Sequence, residues 1–300
     1  MRLSLAFLMI PAATACGGGD GNTTVDAQDV GFNKPKATLK ANTQNADKTW
    51  SELGDADLTS CTADVATAQV VTLNTKVVDF QNQTPVPAAT VIAFAGIDTA
   101  TPFDTKMSDT NGMISFTIPA GTKRYGFKMT ADSQFPTFLL NQYVVAANVD
   151  GTGMTTDPST IQSVSNATAA LLPALIGQTR TPGTGVVAGA VRDCGHHEIS
   201  NYVATVSSTS GMATPIAGAQ SFYFSLAPEL PVHHTQAEAA AANALFMGIQ
   251  LPATDKAYVQ AWGFPTAADL ASGQMKLVSE LAVPVLADTV VTGSFEPIHN

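Results

Sequence analysis

The chain has 300 residues, of which 45% are hydrophobic and only 13% charged, with 24 acidic against 14 basic residues and a formal net charge of −10. The charged share is about half the usual fraction of around 25%, and beyond Thr181 the basic side chains are Arg192, Lys256 and Lys276 alone. Nucleic-acid binding needs clustered Lys and Arg, so this balance excludes it, and it disfavours lying flat on anionic lipid. The length allows two domains.

Residues 1–15 carry one charge, Arg2, ahead of a short apolar run that closes on small residues before Cys16. This is the layout of an export signal, and the run is too short to span a bilayer, which takes about 20 residues. With Ala13-Thr14-Ala15-Cys16 at its end and Gly17-Gly18-Gly19 behind it, the leader resembles that of a bacterial lipoprotein. That resemblance implies cleavage before Cys16, a diacylglyceryl thioether on its sulfur and attachment to the cell envelope through the lipid. Gly17 in place of Asp resembles the outer-membrane sorting pattern. The alternative is plain secretion with cleavage after Ala15 and a free Cys16 thiol. Residues 16–60 are polar and lack apolar periodicity, which predicts a flexible tether.

Strand signals fill residues 61–150. Residues 69–80 and 89–97 are β-branched and alternate, 108–112 (SDTNG) form a turn signal, and 113–118 alternate Ile114, Phe116 and Ile118 against Met113, Ser115 and Thr117. Residues 123–130 and 136–149 repeat the theme. The spacing predicts an antiparallel β-sandwich of about seven strands. Residues 151–183 read as a helical connector, with Asp157 as N-cap, Pro158 at the first turn and Gly177 at the C-cap. Strand patterning resumes over 184–300 and predicts a second sandwich, interrupted by a candidate helix start at Thr235-Gln236-Ala237-Glu238.

The halves share signposts. Ile118-Pro119-Ala120-Gly121 and Tyr125 correspond to Leu251-Pro252-Ala253-Thr254 and Tyr258, while Val78-Asp79 corresponds to Arg192-Asp193. An ordered set of this kind points to duplication. Val78-Asp79, Pro85-Val86-Pro87-Ala88-Ala89-Thr90-Val91, Asp109-Thr110-Asn111-Gly112 and Phe116-Thr117-Ile118-Pro119-Ala120-Gly121 resemble the carboxypeptidase regulatory-like domain. That resemblance implies an Ig-like, transthyretin-like sandwich of non-catalytic, accessory type. The expected fold class is therefore all-β, two antiparallel sandwiches joined by a short helix.

With Cys16 lipidated, Cys61 and Cys194 form an even pair for an oxidising compartment; the alternative is two separate thiols. His196-His197 and His233-His234, with Cys194 and Glu198 nearby, are the candidate metal ligands. Adjacent strand residues point to opposite faces, and no H-x-H, C-x-x-C or H-E-x-x-H spacing occurs, so polar turns are the favoured reading. G-x-S-x-G, calcium-loop and phosphate-loop motifs are missing, and no cofactor is implied. The expected function is a membrane-anchored, non-enzymatic binding or spacer module with a protein or glycan partner left open. The alternatives are a metal-binding protein or hydrolase whose site assembles from separate strands, and a carbohydrate binder using aromatics such as Tyr223 and Trp262.

Overall fold

The computed structural model describes residues 35–143, 154–155, 160–227, 229–232 and 237–297. A hairpin, β1 (Lys40–Gln44) and β2 (Trp50–Asp55), comes first. The first half supplies β3 (Val71–Asp79), β4 (Thr90–Ala95), β5 (Pro102–Met107), β6 (Met113–Ile118), β7 (Arg124–Thr130), β8 (Gln134–Phe135) and β9 (Thr137–Tyr143). Then come β10 (Met154–Thr155), β11 (Ile161–Ser165) and the helix α1 (Asn166–Leu175). The second half opens with β12 (Thr184–Val191), β13 (Glu198–Ser200), β14 (Val203–Ser207), β15 (Gln220–Phe224) and β16 (Pro231–Val232). It closes with β17 (Leu245–Pro252), β18 (Thr254–Gly263), α2 (Ala267–Ser272), β19 (Lys276–Val285) and β20 (Val290–Phe295). The all-β class is what the structure has.

The arrangement differs from two separate sandwiches. One nine-stranded sheet, ordered β16-β15-β17-β12-β20-β9-β7-β4-β5, takes strands from both halves. The last strand, β20, lies between them and runs parallel to both neighbours, pairing Val290–Phe295 with Val186–Val191 on one side and Val290–Gly293 with Thr137–Leu140 on the other. Alternation in a sequence reports which face a residue takes. It does not report the direction of the neighbouring strand, so the antiparallel expectation is corrected at these ladders and where β10 and β11 pair parallel with β3.

Two smaller sheets cover this shared sheet on opposite faces. On the first half, β3 and β6 pack Val71, Leu73, Ile114 and Phe116 against Val91, Phe127 and Met129 of β4 and β7. On the second, β14-β18-β19 pack Val206, Val259 and Val283 against Val187, Phe246 and Val291. Phe127 stands opposite Leu139, whereas Phe138 stands opposite Val291 and belongs to the second core with Leu140. Since neighbours in a strand face opposite ways, the two cores lie on opposite sides of β9. The result is a stepped, three-layer body.

The tether expectation for 16–60 is corrected over the hairpin. β1 pairs with β13, Ala41 opposite Ile199, and buried Asn42 donates from Nδ2 to Ser200 Oγ at 3.0 Å. Leu39 is buried against Gly263, where a Cβ would stand 2.6 Å from Leu39 Cδ2. The connector expectation is corrected as well: residues 161–165 form a strand on β3, and Ser165 caps the shorter α1 by accepting the Thr168 N–H at 3.1 Å. Ala237–Ala244 contain no helix, Thr235 and Gln236 lie outside the described residues, and the capping box occurs instead at Thr266 and Asp269, opening α2.

The repeat takes a different register from the signposts. Thr84-Pro85-Val86-Pro87-Ala88-Ala89 and Thr214-Pro215-Ile216-Ala217-Gly218-Ala219 make the same turn. Pro85 bridges Val78 and Pro215 bridges Ser207, and the Val86 and Ile216 N–H groups donate to Val77 and Val206 carbonyls at 3.0 and 3.2 Å. Ala88 and Gly218 both take positive φ, 54° and 81°. Strands β3 and β4 thus correspond to β14 and β15. The turns after Ile118 and Leu251 cross between layers in opposite senses, from small sheet to shared sheet in the first half and the reverse in the second.

Candidate functional site

The step between layers leaves part of the shared sheet without a second sheet over it. On that face β17, β12, β20 and β9 align in rungs: Met247, Ala188, Thr292 and Leu139 form one, and Leu245, Ala190 and Ser294 the next. Inward, β12 carries Val187 and Val191, which fill the second core. Outward it carries Ala188 and Ala190, and the short side chains leave a groove of about 380 Å³, within the size range of small-ligand clefts, roughly 300–1,000 Å³.

The groove's wall is built from the connector. β11 points Ile161 and Ser163 inward, Ser163 Oγ donating to the Val78 carbonyl at 3.1 Å, so Gln162 and Val164 face the groove. α1 follows at once and contributes Leu172 and Pro173. Its end is fastened by Ile176, which packs with Phe135, Val186 and Phe222 on the same face of the sheet, and by Arg180. That guanidinium lies over the Phe135 ring at 4.8 Å and pairs with Asp288 at 2.6 Å. The far end of the floor is closed by Arg192, the one charged side chain among the described lining residues. Its Nε reaches Glu198 Oε1 at 3.2 Å and its side chain is 43% exposed. Such a lining can hold an apolar body and orient one anionic end.

Behind Ser294, which donates to Glu296 Oε1 at 2.9 Å, lies the ionic joint between the halves. Arg124 of β7 forks Asp64 through Nε and Nη2 at 2.9 and 2.7 Å and meets Glu296 at 2.6 Å. Burial works against ionisation at both Arg124 and Glu296, but their hydrogen bonds and opposite charges prevail. Arg124 is raised and the Glu296 carboxyl falls below its ordinary value of 4.5.

Cys61 and Cys194 are joined by a disulfide with Cα atoms 4.6 Å apart and 133 residues between them in sequence. Beside it, the buried Asp193 carboxylate accepts N–H groups from Gly195, His197 and Asp57. The adjacent histidines turn to different carboxylates, His196 Nδ1 lying 3.8 Å from Glu296 and His197 Nδ1 3.3 Å from Asp193. Among the described residues no three His, Cys, Asp or Glu side chains gather as a metal site. His233, His234 and Cys16 lie outside the described residues. Tyr223 is buried with its hydroxyl accepting the Ala204 N–H; Trp262 is half-buried and donates to Gln260 Oε1. They form no open aromatic platform.

The groove was missed at the sequence level, although its signal is present. In residues 187–192, one parity carries Val187, Gly189 and Val191 and the other Ala188, Ala190 and Arg192, so the strand puts its valines on one face and leaves room between short side chains on the other.

No protein-family model matches the chain, and no curated protein matches it. Among solved structures, the Bacillus anthracis TIE protein overlaps 75% of this chain at 12% identity with a TM-score of 0.23, and this chain spans only 34% of that one. The shaft pilin SpaA from Lactobacillus rhamnosus GG is similar over 79% of this chain and 99% of its own, at 11% identity and a TM-score of 0.22. A streptococcal ancillary pilin covers 77% of this chain and 63% of its own, at 15% identity and a TM-score of 0.22. Scores this low place the chain in a common fold with none of them.

Proposed function

We propose that the protein is an exported lipoprotein, anchored through Cys16, whose fused β-layers act as a rigid, non-catalytic binding module on the cell envelope. The groove carries the binding part of this reading. It is a pre-formed apolar cleft with one charged group among its described lining residues, the form small-ligand sites usually take. Anchoring is supported by residues 1–19, with their short apolar run, Ala13-Thr14-Ala15-Cys16 and glycine tract, and export by the pairing of Cys61 with Cys194, since such bonds persist in oxidising compartments. Gly17 supports the outer membrane as destination. A carboxypeptidase regulatory-like first half is supported by the Asp79 turn and the Pro85 bridge that follows it.

Fractionation with mass spectrometry of the N-terminal peptide tests the anchor. A lipid-modified Cys16 in the membrane fraction, with Cys16→Ser appearing in the soluble fraction, is the expected outcome. A mature N-terminus at an unmodified Cys16, or an uncleaved leader, would overturn it.

A further inference from the structure

We infer that the groove takes a fatty-acid-like ligand, its acyl chain lying on the alanine floor and its carboxylate forked by Arg192. The inference deepens the binding-module reading and rests on it. Three observations carry it. The first is shape: Val186, Ala188 and Ala190 of β12 and Arg192 just beyond its end follow one another along one face, giving an elongated floor of about 20 Å at 3.3 Å per residue. That is the form of an extended chain rather than of a compact ring.

The second is chemistry. Floor and walls present Ala188, Ala190, Leu139, Leu172 and Met247 to the ligand, so the hydrophobic effect acts along most of its length. The polar groups beside them are hydroxyls and amides that a methylene chain does not need to satisfy, because Gln142 donates to the Leu140 carbonyl and Gln162 to Thr160 Oγ1.

The third is charge. In a chain of formal net charge −10, the single ionised side chain among the described residues lining the groove is cationic. Arg192 uses Nε for Glu198, and its two Nη groups have no hydrogen-bond partner among the described residues. A guanidinium edge of this kind matches a carboxylate in bidentate geometry. Glu198, on the other side of the guanidinium, holds it in position and disfavours a second anion there. A neutral or cationic amphiphile of the same chain gains nothing from this end of the groove.

Calorimetric titration of the purified full chain with dodecanoate, dodecanol and dodecyltrimethylammonium, each below its micelle-forming concentration, tests the inference. Dodecanoate is expected to bind saturably at one site and at least about tenfold more tightly than the other two, tenfold being the effect of a modest charge-assisted contact. Arg192→Gln should weaken dodecanoate by about tenfold and leave dodecanol unchanged, and Arg192→Lys should retain most of the preference. Ala190→Phe should abolish binding of all three; should that variant misfold, competition of dodecanol against bound dodecanoate reports the shared floor instead. Equal affinity for the three amphiphiles, an unchanged Arg192→Gln, or no saturable binding would overturn the inference. The Cys16 mass and fractionation results stand apart from this titration, so the ligand assignment can fail while the anchor holds.

Discussion

Arg124 is held at the joint by two carboxylates, and the three side chains come from separate stretches of chain. Breaking a buried pair by removing one partner leaves the other charge uncompensated, which costs about 3 kcal/mol or more. Glu296→Gln is therefore expected to lower stability at neutral pH by roughly 3 kcal/mol, measured by urea unfolding; Asp64 remains on Arg124 and limits the loss. The pH dependence has a definite sign. Glu296 has a folded-state pKa below its ordinary value of 4.5, so its contribution is complete above that value and is lost as pH falls through the lowered one. Wild type and Glu296→Gln should therefore differ at pH 7 and converge in acid. A difference that persists or widens in acid would contradict the assignment.

At the scale of elements, the N-terminal hairpin pairs with β13 and the Cys61–Cys194 bond ties the chain behind it to the second half. Leu39 is 1% exposed, and Leu→Ala at such a site costs about 2–5 kcal/mol, whereas Leu53 on β2 is 52% exposed and its truncation should stay within about 0.5 kcal/mol. Thermal or urea denaturation of Leu39→Ala and Leu53→Ala checks this contrast; two neutral substitutions would return the hairpin to a tether. The Cys61–Cys194 bond closes a long loop, and its removal by the double Cys→Ala variant should cost about 2–5 kcal/mol, read from the same curves. These elements show where sequence reading stops. Met113–Ile118 is legible because every second side chain is apolar and buried. Lys40–Gln44 (KANTQ) is not, because it is short, polar and edge-like, and it becomes a strand only through β13. Residues 161–165 carry a helical spacing that loses to pairing with β3, a contact more than 80 residues away.

For the whole molecule, the decisive feature is β20 inserted between β12 and β9. It converts two cores into one body, and it creates the step where the groove forms. Strand content and the face of most strands were legible, and so was the pairing of the two cysteines as one of two alternatives. The shared sheet was not legible, because a final strand such as VVTGSF carries no mark of which neighbours it will choose. The groove depends on that choice, so it stayed hidden although Ala188, Ala190 and Arg192 were in plain view. A shared sheet with an ionic joint also predicts that the halves unfold together, in a single transition seen alike by the fluorescence of Trp50 and Trp262 and by far-ultraviolet dichroism.

Native-state hydrogen exchange at the backbone amides of β9 and β20 tests the fused sheet most directly. The amides of residues 138–140 and 291–293 should be protected to the same opening free energy as central strands β7 and β17, with all of them responding together to denaturant. Fast exchange at β9 and β20, with the two halves opening at separate free energies, would contradict a single body and remove the groove with it.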